Sequence, residues 1–404
     1  MQRQRIAVIG AGTAGLATTL LLGQQGHDVT LVERAEALTT TGAGILLQPC
    51  GLAVLAAIGC LEHMQRYGHR IDALDGMTHS GRQVMKVRYA HLKEPQDVFG
   101  LGVHRTALCH VLDTATTAVA HRRWFGCAVE SVQQRGDEAL VHFCQHDTRH
   151  CEAFDAVIVA NGSASRLRPP ELVRYDRQYP WGAMWLIRPL HKAPASLDQP
   201  LLQQKYIDSS IMLGILPTGS IPDDPDTRLA SLFWSVPIAH MPDWQNGELD
   251  LAGWKDEIAA LWPDVSALID DIVHPSQLVA ATYRDVIMKR WGAGRMGIIG
   301  DAAHAMSPQL GQGANMALLD ALAVSEAVRA SSDWDPVWDT YASERGGSIR
   351  FYQRMSRFLT PLFQSNMFGA GTLRDWSFPV SHRIPWLRRQ MAETVAGRKR
   401  KWLW

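Results

Sequence analysis

Three glycines near the start of the chain, Gly10, Gly12 and Gly15, have the spacing of a turn that holds a phosphate. The first permits a tight turn, the second lets the backbone approach a pyrophosphate, and the third lets a helix pack closely on a strand. Amide groups at a helix start attract such a group, helped by the helix dipole. Together with Ala14 in the same turn, this pattern predicts dinucleotide binding.

A carboxylate follows these glycines at Glu33, with Arg34 beside it. In dinucleotide sites an acid about 20 residues after the turn accepts hydrogen bonds from ribose hydroxyls and repels a 2′-phosphate. Glu33 therefore argues against NADPH as the ligand of this turn.

A second group of chemically suited residues lies nearly three hundred positions later. An apolar run ends there in Gly300-Asp301, and a helical pattern follows Pro308, Gly311, Gly313, Ala314 and Asn315. Glycines allow backbone N–H groups to approach a ligand closely, and a helix start stabilises negative charge on it. His304 is a candidate acid or base, although a histidine on a loop of this kind is more often structural.

One elongated ligand could contact both stretches, and FAD is the dinucleotide that fits this requirement. Its adenosine end would lie on the first stretch, and its ribityl chain and ring on the second. The hypothesis therefore requires the two stretches to meet in the folded protein.

The elements that would position these residues follow from hydrophobic patterns. Residues 5–9, 28–32, 156–160 and 296–299 are short apolar runs typical of buried parallel strands, and residues 14–25 favour a helix. A small-residue loop containing Gly44 and Ile45 follows Glu33, and Arg105 lies where another helix opens, running to about residue 120. Residues 127–151 suggest a β-meander.

Between residues 179 and 283 prolines, tryptophans and short strands dominate, which predicts an inserted antiparallel sheet. The expected architecture is α/β: a Rossmann-like FAD-binding domain, an inserted antiparallel β-sheet substrate domain and a helical C-terminal region. The expected divisions are residues 1–178, 179–283, 284–330 and 331–404. Helices are expected at residues 314–330 and from 336 towards 363.

Composition excludes several classes of protein. Lysine plus arginine equals aspartate plus glutamate at 40 each, so nothing suggests a nucleic-acid partner. The six cysteines lack metal-ligand spacing, and no signal peptide is apparent, which favours a cytoplasmic protein with reduced thiols. His142, Cys144, His146, His150 and Cys151 are metal-ligand types, but a polar hairpin is the preferred interpretation and no metal is expected.

With these residues placed, the chain resembles the single-component flavin-dependent aromatic hydroxylases, the family of para-hydroxybenzoate hydroxylase and the ubiquinone-biosynthesis hydroxylases. The resemblance rests on the glycine triplet with Glu33, on Arg105, on the turn pair Asn161-Gly162 and on the stretch from Gly300 to Asn315. It implies that Asp301 holds the ribityl chain, that Arg105 approaches the phosphate and ribityl part, and that residues 308–315 lie against the isoalloxazine. The family usually has Asp where this chain has Asn161, a change that keeps the turn and loses a charge.

The resemblance also implies a reaction. NADH or NADPH would visit transiently and reduce FAD, O2 would add, and a flavin hydroperoxide would transfer one oxygen atom to an aromatic or heteroaromatic substrate. Catalysis would centre on the flavin, with Pro308 and His304 the protein residues singled out beside it. The substrate would lie against the inserted sheet; the lining candidates are Trp185, Tyr206, Met212, Leu213, Phe233 and Trp234, of which strand alternation lets about half face a pocket.

Two other readings of the chain keep FAD. A flavin-dependent halogenase or a prenyl-chain reductase shares the architecture, but the Trp-x-Trp-x-Ile-Pro segment of such halogenases is missing around Trp181 to Ile187. A flavoprotein at a membrane surface would use the apolar residues 351–368 and the tail with Trp376, Trp386, Trp402 and Trp404. Packing of this region against the FAD domain is the preferred interpretation, and the protein is expected to be a monomer or a homodimer.

Overall fold

The computed structural model describes residues 1–38, 42–92, 97–119 and 121–400. Within these residues the protein is a mixed α/β structure with four β-sheets. In chain order the strands are β1 (Arg5–Ile9), β2 (Asp28–Val32), β3 (Gly44–Leu47), β4 (His69–Ile71), β5 (Ala73–Thr78), β6 (Gln83–Arg88), β7 (Gly100–His104), β8 (His121–Trp124), β9 (Cys127–Arg135), β10 (Glu138–Gln145), β11 (Thr148–Phe154), β12 (Ala156–Val159), β13 (Val173–Pro189), β14 (Leu201–Ile207), β15 (Ile211–Ile221), β16 (Asp224–Pro237), β17 (Val279–Met288), β18 (Gly292–Ala293) and β19 (Met296–Ile298).

The α-helices over the same residues are α1 (Thr13–Gln24), α2 (Pro49–Ala57), α3 (Leu61–Tyr67), α4 (Arg105–Thr116), α5 (Met241–Gln245), α6 (Leu251–Leu261), α7 (Ser266–Ile269), α8 (Asp301–His304), α9 (Gly313–Ala330), α10 (Trp334–Phe363), α11 (Ala370–Ser381) and α12 (Pro385–Val395).

A six-stranded sheet in the order β18-β19-β12-β1-β2-β8 forms the centre of the first half of the fold. Its five strands from β19 to β8 run parallel, and β18 is antiparallel to β19. The apolar runs that predicted β1 and β12 are buried, because helices cover the sheet. The carboxyl ends of β1, β12 and β19 therefore lie side by side.

A seven-stranded sheet in the order β17-β13-β16-β15-β14-β5-β6 forms the second half. Its pairs are antiparallel except for β14 and β5, which are parallel. The short strands expected between residues 179 and 283 include parts of β13, β15 and β16. The sheet extends beyond the expected segment, since β5 and β6 come from residues 73–88 and β13 begins at Val173. Composition did not show that β5 and β6 belong to this sheet, because β5 pairs with β14, more than a hundred residues later in the chain.

The remaining strands form two three-stranded sheets. The meander β9-β10-β11 places His142 opposite Cys151 on paired hairpin strands, and β3, β7 and β4 form the other sheet. The helices expected near residues 314–330 and 336–363 correspond to α9 and the long α10. The C-terminal helices α11 and α12 then pack on β6, at the edge of the seven-stranded sheet.

Candidate cofactor site

The glycine-rich turn between β1 and α1 has the close contacts that its sequence predicts. Gly10 adopts φ +106°, and a Cβ at this position would lie 2.6 Å from the carbonyl oxygen of Ala160. A Cβ on Gly15 would lie only 1.7 Å from the carbonyl oxygen of Gly10, so helix and strand pack without room for a side chain. Gly12 differs, since a Cβ there would meet no protein atom within 4 Å. The turn thus leaves open space in front of Gly12, at the start of α1.

Glu33 supports this turn from the end of β2. Its carboxylate accepts hydrogen bonds from the backbone amides of Ala11 at 2.8 Å and Ala35 at 3.0 Å. A carboxylate has about four acceptor positions, so two amide donors leave capacity for ligand hydroxyls. Arg34, next in the chain, is exposed.

The second stretch lies directly against the first. A Cβ on Gly300, at the end of β19, would lie 3.0 Å from the Cβ of Ala14 in α1. Asn161 is adjacent as well, because a Cβ on Gly10 would lie 2.8 Å from its Cα. Asn161 is exposed, and Gly162 after it adopts φ +84°. The meeting of the two stretches, which the sequence hypothesis requires, is present.

Asp301 lies beside this junction, and the space between Gly12, Asp301 and Gly313 is called the cleft below. Its side chain is exposed to solvent, yet desolvation by the surrounding protein raises the pKa of its carboxyl. The charges of His304 and Arg105 oppose that shift, so Arg105 at the start of α4 is close enough to act on Asp301. A carboxyl group that is both exposed to solvent and desolvated by nearby protein is expected in a concave site.

The loop from Met306 to α9 alternates between exposed and buried residues. Pro308, Gly311 and Gly313 are exposed, and Gly311 adopts φ +59°. A Cβ on Gly313 would lie 3.7 Å from Oδ1 of Asp301, which brings the start of α9 to the cleft. Ala314 is half-buried beside them.

Asn315, in contrast, is completely buried, and its side chain forms hydrogen bonds within the protein. Its Oδ1 accepts from the backbone amide of Gln48 at 2.8 Å, and its Nδ2 donates to the carbonyls of Leu46 and Gly311 at 3.1 and 3.0 Å. Asn315 therefore holds the loop in place, and only its backbone remains available to a ligand.

His304 faces away from the cleft, 1% exposed. Its Nε2 lies 2.5 Å from Oδ2 of Asp320, while Oδ1 of Asp320 accepts from Nε of Arg345 at 2.9 Å. Asp320 also accepts the amide of Gly300 at 3.0 Å. The three side chains form a buried polar cluster behind Asp301.

Gly44 and Ile45 belong to β3 and join the two halves of the fold. A Cβ on Gly44 would lie 2.5 Å from the Cβ of Ser231 and 2.7 Å from Cγ2 of Thr218, both on the seven-stranded sheet. Gly44 also donates its amide to Oγ of Ser231 at 3.0 Å. Packing against the sheet therefore leaves no room for a side chain at Gly44.

The substrate-lining candidates divide between the two faces of the seven-stranded sheet. Directly paired residues share a face. Trp185 pairs with Phe233, and Tyr206 packs with Phe233 against α10; their face is turned towards the C-terminal helices. Leu213 pairs with Trp234 on the opposite face, where both are buried with Trp244, Trp254 and Ile258 of α5 and α6. Leu213 and Trp234 therefore belong to that second core, by the alternation that the sequence already implied.

One polar contact marks the first face. Nε1 of Trp185 donates to the hydroxyl of Tyr283 at 3.3 Å, and the rings of Trp185 and Phe233 lie 5.0 Å apart. Burial raises the pKa of Tyr283 to about 12, so its hydroxyl remains protonated near neutral pH. Sequence reasoning missed Tyr283 because it lies on β17, distant in sequence from its neighbours.

A groove of about 780 Å³ opens between β13 and the end of α10. Its walls include Tyr175, Arg177, Tyr179, Trp181, Arg357 and Gln364. Desolvation raises the pKa of Tyr179 to about 12, and the backbone of Ser307 opposes that shift. The groove therefore reaches the loop that carries Pro308.

A comparison with protein families decides the affiliation. The family model described as "FAD binding domain" matches residues 3–350. The chain belongs to this FAD-binding family. FAD is therefore its cofactor, as the two glycine-rich stretches predicted.

Named relatives and solved structures agree with that affiliation. The chain is 26% identical to 3-amino-4-hydroxybenzoate 2-monooxygenase PtmB3 of Streptomyces platensis, over 95% of this chain and 94% of the relative. It is also 26% identical to 6-hydroxynicotinate 3-monooxygenase of Pseudomonas fluorescens, over 88% of this chain and 91% of the relative. A crystal structure of a Klebsiella pneumoniae HpxO variant complexed with FAD has a TM-score of 0.79 at 20% identity, covering 98% of this chain and 99% of the other.

The residues of the cleft fit FAD. The space in front of Gly12 is open at the amino end of a helix, which suits a pyrophosphate. Asp301 is an exposed carboxylate on a cleft floor, which suits ribityl hydroxyls. Exposed Gly311 and Gly313 at the start of an 18-residue helix suit a planar ring with an electron-rich edge.

Among the residues that the structure describes, no helix is long and apolar enough to cross a membrane.

Proposed function

We propose that this protein is an FAD-dependent monooxygenase that uses NADH or NADPH and O2 to insert one oxygen atom into an aromatic or heteroaromatic small molecule. One observation carries the proposal: the glycine-rich turn and the stretch from Gly300 to Gly313, almost three hundred residues apart in the chain, meet in the fold. The monooxygenases named among the relatives support the same reaction class.

The proposed cofactor contacts follow the length of the cleft. Gly10, Gly12, Ala14, Gly15 and Glu33, with exposed Arg34 beside them, would receive the adenosine and pyrophosphate end. Arg105 and Asp301 would hold the ribityl chain, and Pro308, Gly311, Gly313 and Ala314 the ring. Gly44, Ile45, Asn161 and Asn315 would shape the walls, for which the packing of Gly44 on Ser231 and the buried bonds of Asn315 are the support.

FAD, when bound, supplies hydride acceptance and O2 activation, which amino-acid side chains do not provide. The contribution of the protein is positioning and electrostatics. Backbone amides of residues 311–314, at the positive end of α9, would stabilise negative charge on the ring edge. The buried side chain of Asn315, which accepts from the backbone amide of Gln48 and donates to the carbonyls of Leu46 and Gly311, fixes this loop before any ligand arrives.

The proposed substrate site is the sheet face that carries Trp185, Phe233 and Tyr283, with Tyr206 deeper in the same face. Two aromatic rings 5.0 Å apart offer a wall for a planar molecule. The protonated Tyr283 hydroxyl would donate a hydrogen bond to a phenolate, ring nitrogen or carboxylate. Relatives that act on hydroxybenzoate and hydroxynicotinate derivatives support a hydroxylated arene or N-heteroarene as the substrate class.

The two halves of the fold would divide this work. The parallel six-stranded sheet with its helices is proposed as a Rossmann-like FAD-binding part, comprising residues 1–178 and 284–330. Residues 179–283, extended by β5 and β6, would form the substrate part, with residues 331–404 as the helical C-terminal region. The parallel order of β19, β12, β1 and β2 supports this assignment.

NADH or NADPH would bind transiently, without a separate nicotinamide-binding domain. The groove beside Tyr179 is the proposed approach, because it combines aromatic walls with the Arg177 guanidinium group and reaches the backbone of Ser307. Aromatic and cationic side chains suit a ligand with planar bases and a pyrophosphate.

Incubation with isotopically labelled O2 tests the proposal. Purified protein should carry FAD and oxidise NADH or NADPH faster when a hydroxylated arene or N-heteroarene is present. Mass spectrometry should then find one labelled oxygen atom in the product. Coupled coenzyme oxidation with no labelled product from any hydroxylated arene or N-heteroarene would refute the oxygenase assignment while leaving FAD binding intact.

A further inference from the structure

The C-terminal helices expose an unusual concentration of apolar side chains. Eight of the twelve large hydrophobic residues exposed in the described structure lie between residues 358 and 386. They are Phe358, Met367, Phe368, Leu373, Trp376, Val380, Ile384 and Trp386, called the C-terminal patch below. Phe368 is fully exposed, and Trp376 and Trp386 are 72% and 56% exposed. Packing, the preferred interpretation of residues 351–368 and the tryptophan tail, does not hold for Phe358, Met367, Phe368, Trp376 and Trp386. Trp402 and Trp404 lie outside the described residues.

Helix α11 shows that this exposure is organised. Ala370, Gly371 and Arg374 are buried on one side of the helix. Leu373, Trp376 and Val380 have the spacing of a single opposite stripe and are exposed. A helix with one buried face and a second apolar stripe in water is expected to have a partner for that stripe.

The surroundings of the patch are strongly basic. Residues 370–400 contain seven arginines and lysines against two acids, Asp375 and Glu393. Both acids are already paired, Asp375 with Arg374 at 2.7 Å, and Glu393 with Arg389 and Lys399, each at 2.8 Å. The segment therefore has no carboxylate left for Arg383 and Arg388.

Strand β6 adds to this charge. His382 of the loop after α11 lies with its Nε2 3.0 Å from the carbonyl of Val84, which fixes β6 beside the patch. Burial lowers the pKa of His91, and the neighbouring Arg388, Arg88, His382 and Lys86 lower it further. Lys86 and Arg88 of β6 and Arg388 of α12 therefore lie near the same histidine, beside the patch.

We propose that the C-terminal patch and its basic surround form a docking surface for an anionic lipid bilayer. Tryptophan, phenylalanine and leucine would enter the headgroup region, and Arg383, Arg388, Arg88 and Lys86 would contact lipid phosphates. Charge decides against a second copy of this chain. A two-fold interface would place each basic cluster near its symmetry mate, since the same patch faces itself.

Vesicle co-sedimentation of the full-length holoprotein tests this proposal. Vesicles of phosphatidylcholine with about one-third phosphatidylglycerol supply the anionic charge, and pure phosphatidylcholine vesicles omit it. The protein should pellet with the first and remain in solution with the second. About 0.5 M salt should release it, because the Debye length then shortens to a few ångströms.

The double variant W376S/W386S should lower the bound fraction roughly tenfold, since two interfacial anchors are removed. Val273→Ser is the matched control, because Val273 is 82% exposed and lies outside the patch. FAD absorbance should be unchanged in both proteins, so a failure to fold is detected separately. Equal pelleting of W376S/W386S and unsubstituted protein would overturn the proposal, as would no pelleting with anionic vesicles. Reversible dimerisation that W376S/W386S abolishes, without vesicle binding, would assign the patch to a second copy instead.

Discussion

Ala14 and Gly300 contact each other across the junction of α1 and β19, with 3.0 Å between the Cβ of Ala14 and a Cβ built on Gly300. The two residues belong to stretches that are almost three hundred positions apart in the chain. Their contact follows from parallel pairing of β1, β12 and β19, which places the three carboxyl ends at one edge. A single extended cofactor can therefore cover both stretches.

Gly12→Ala and Gly15→Ala should separate ligand binding from folding. A methyl group on Gly12 meets no protein atom but enters the space proposed for the pyrophosphate, so FAD affinity should fall while the Tm is retained. A methyl group on Gly15 would lie 1.7 Å from the Gly10 carbonyl, so the Tm itself should fall by several degrees. Thermal unfolding of the apoprotein and FAD titration measure the two effects. Unchanged FAD affinity in Gly12→Ala would place the pyrophosphate elsewhere.

Asp301→Ala should weaken FAD binding. Loss of a charged hydrogen bond costs about 1.5–3 kcal/mol, or roughly ten- to hundredfold in Kd. Fluorescence titration of the apoprotein with FAD measures this loss. Asp137→Ala is the matched control, because the Asp137 side chain is 97% exposed at the hairpin between β9 and β10. Equal Kd values for the two variants would show that Asp301 does not contact the cofactor.

Asp320→Asn should destabilise the fold. It leaves the Arg345 guanidinium buried without its counter-charge, at a cost of about 3–5 kcal/mol in the free energy of unfolding. His304, Arg345 and their hydrogen bonds outweigh desolvation and lower the pKa of Asp320 from 3.8 to about 2. Because the folded-state pKa is the lower one, this stabilisation is complete above pH 3.8 and is lost as the pH falls towards 2.

Urea unfolding of the apoprotein between pH 7 and pH 3 checks this behaviour. Unsubstituted protein should lose more stability than Asp320→Asn over the acid part of that range, because only the former has the carboxylate to protonate. Parallel stability curves for the two proteins would contradict the assigned role of Asp320.

Asn315→Ala should loosen the loop that precedes α9. Three hydrogen bonds are lost, and the buried amide of Gln48 is left without its acceptor, at a cost of about 1–3 kcal/mol. Gly311 should become mobile, so bound FAD should show a changed visible spectrum and weaker affinity. A spectrum and Kd identical to those of the unsubstituted protein would show that the loop is held by other contacts.

Tyr283→Phe should affect substrate recognition and leave FAD binding intact. Removal of one hydroxyl hydrogen bond costs about 1 kcal/mol, so KM should rise about fivefold. Because the pKa of Tyr283 is about 12, the ratio of variant to unsubstituted KM should be constant from pH 7 to 9. Steady-state kinetics over that range measures both values, and a KM ratio near one would remove Tyr283 from the substrate site.

Local sequence patterns were sufficient to predict the family, the cofactor and most strands of the central six-stranded sheet. The glycines at 10, 12 and 15 act through contacts within a few residues of themselves, so their spacing carries their role. The expectation of FAD is confirmed by the family match. The proposed cofactor and substrate contacts, the cytoplasmic location and the monomeric or dimeric state stay predictions.

By itself, then, the sequence determined which segments form the glycine turn, the buried strands and the Asp301 loop, because these depend on residue type and short-range periodicity. Only the tertiary structure decided which partners they meet. In the folded protein, Leu213 and Trp234 belong to a second core. Asn315 is buried against Gln48, and Asp320 contacts His304. Trp376 and Trp386 are left in solvent. These outcomes depend on contacts between distant residues, and no local pattern encodes them.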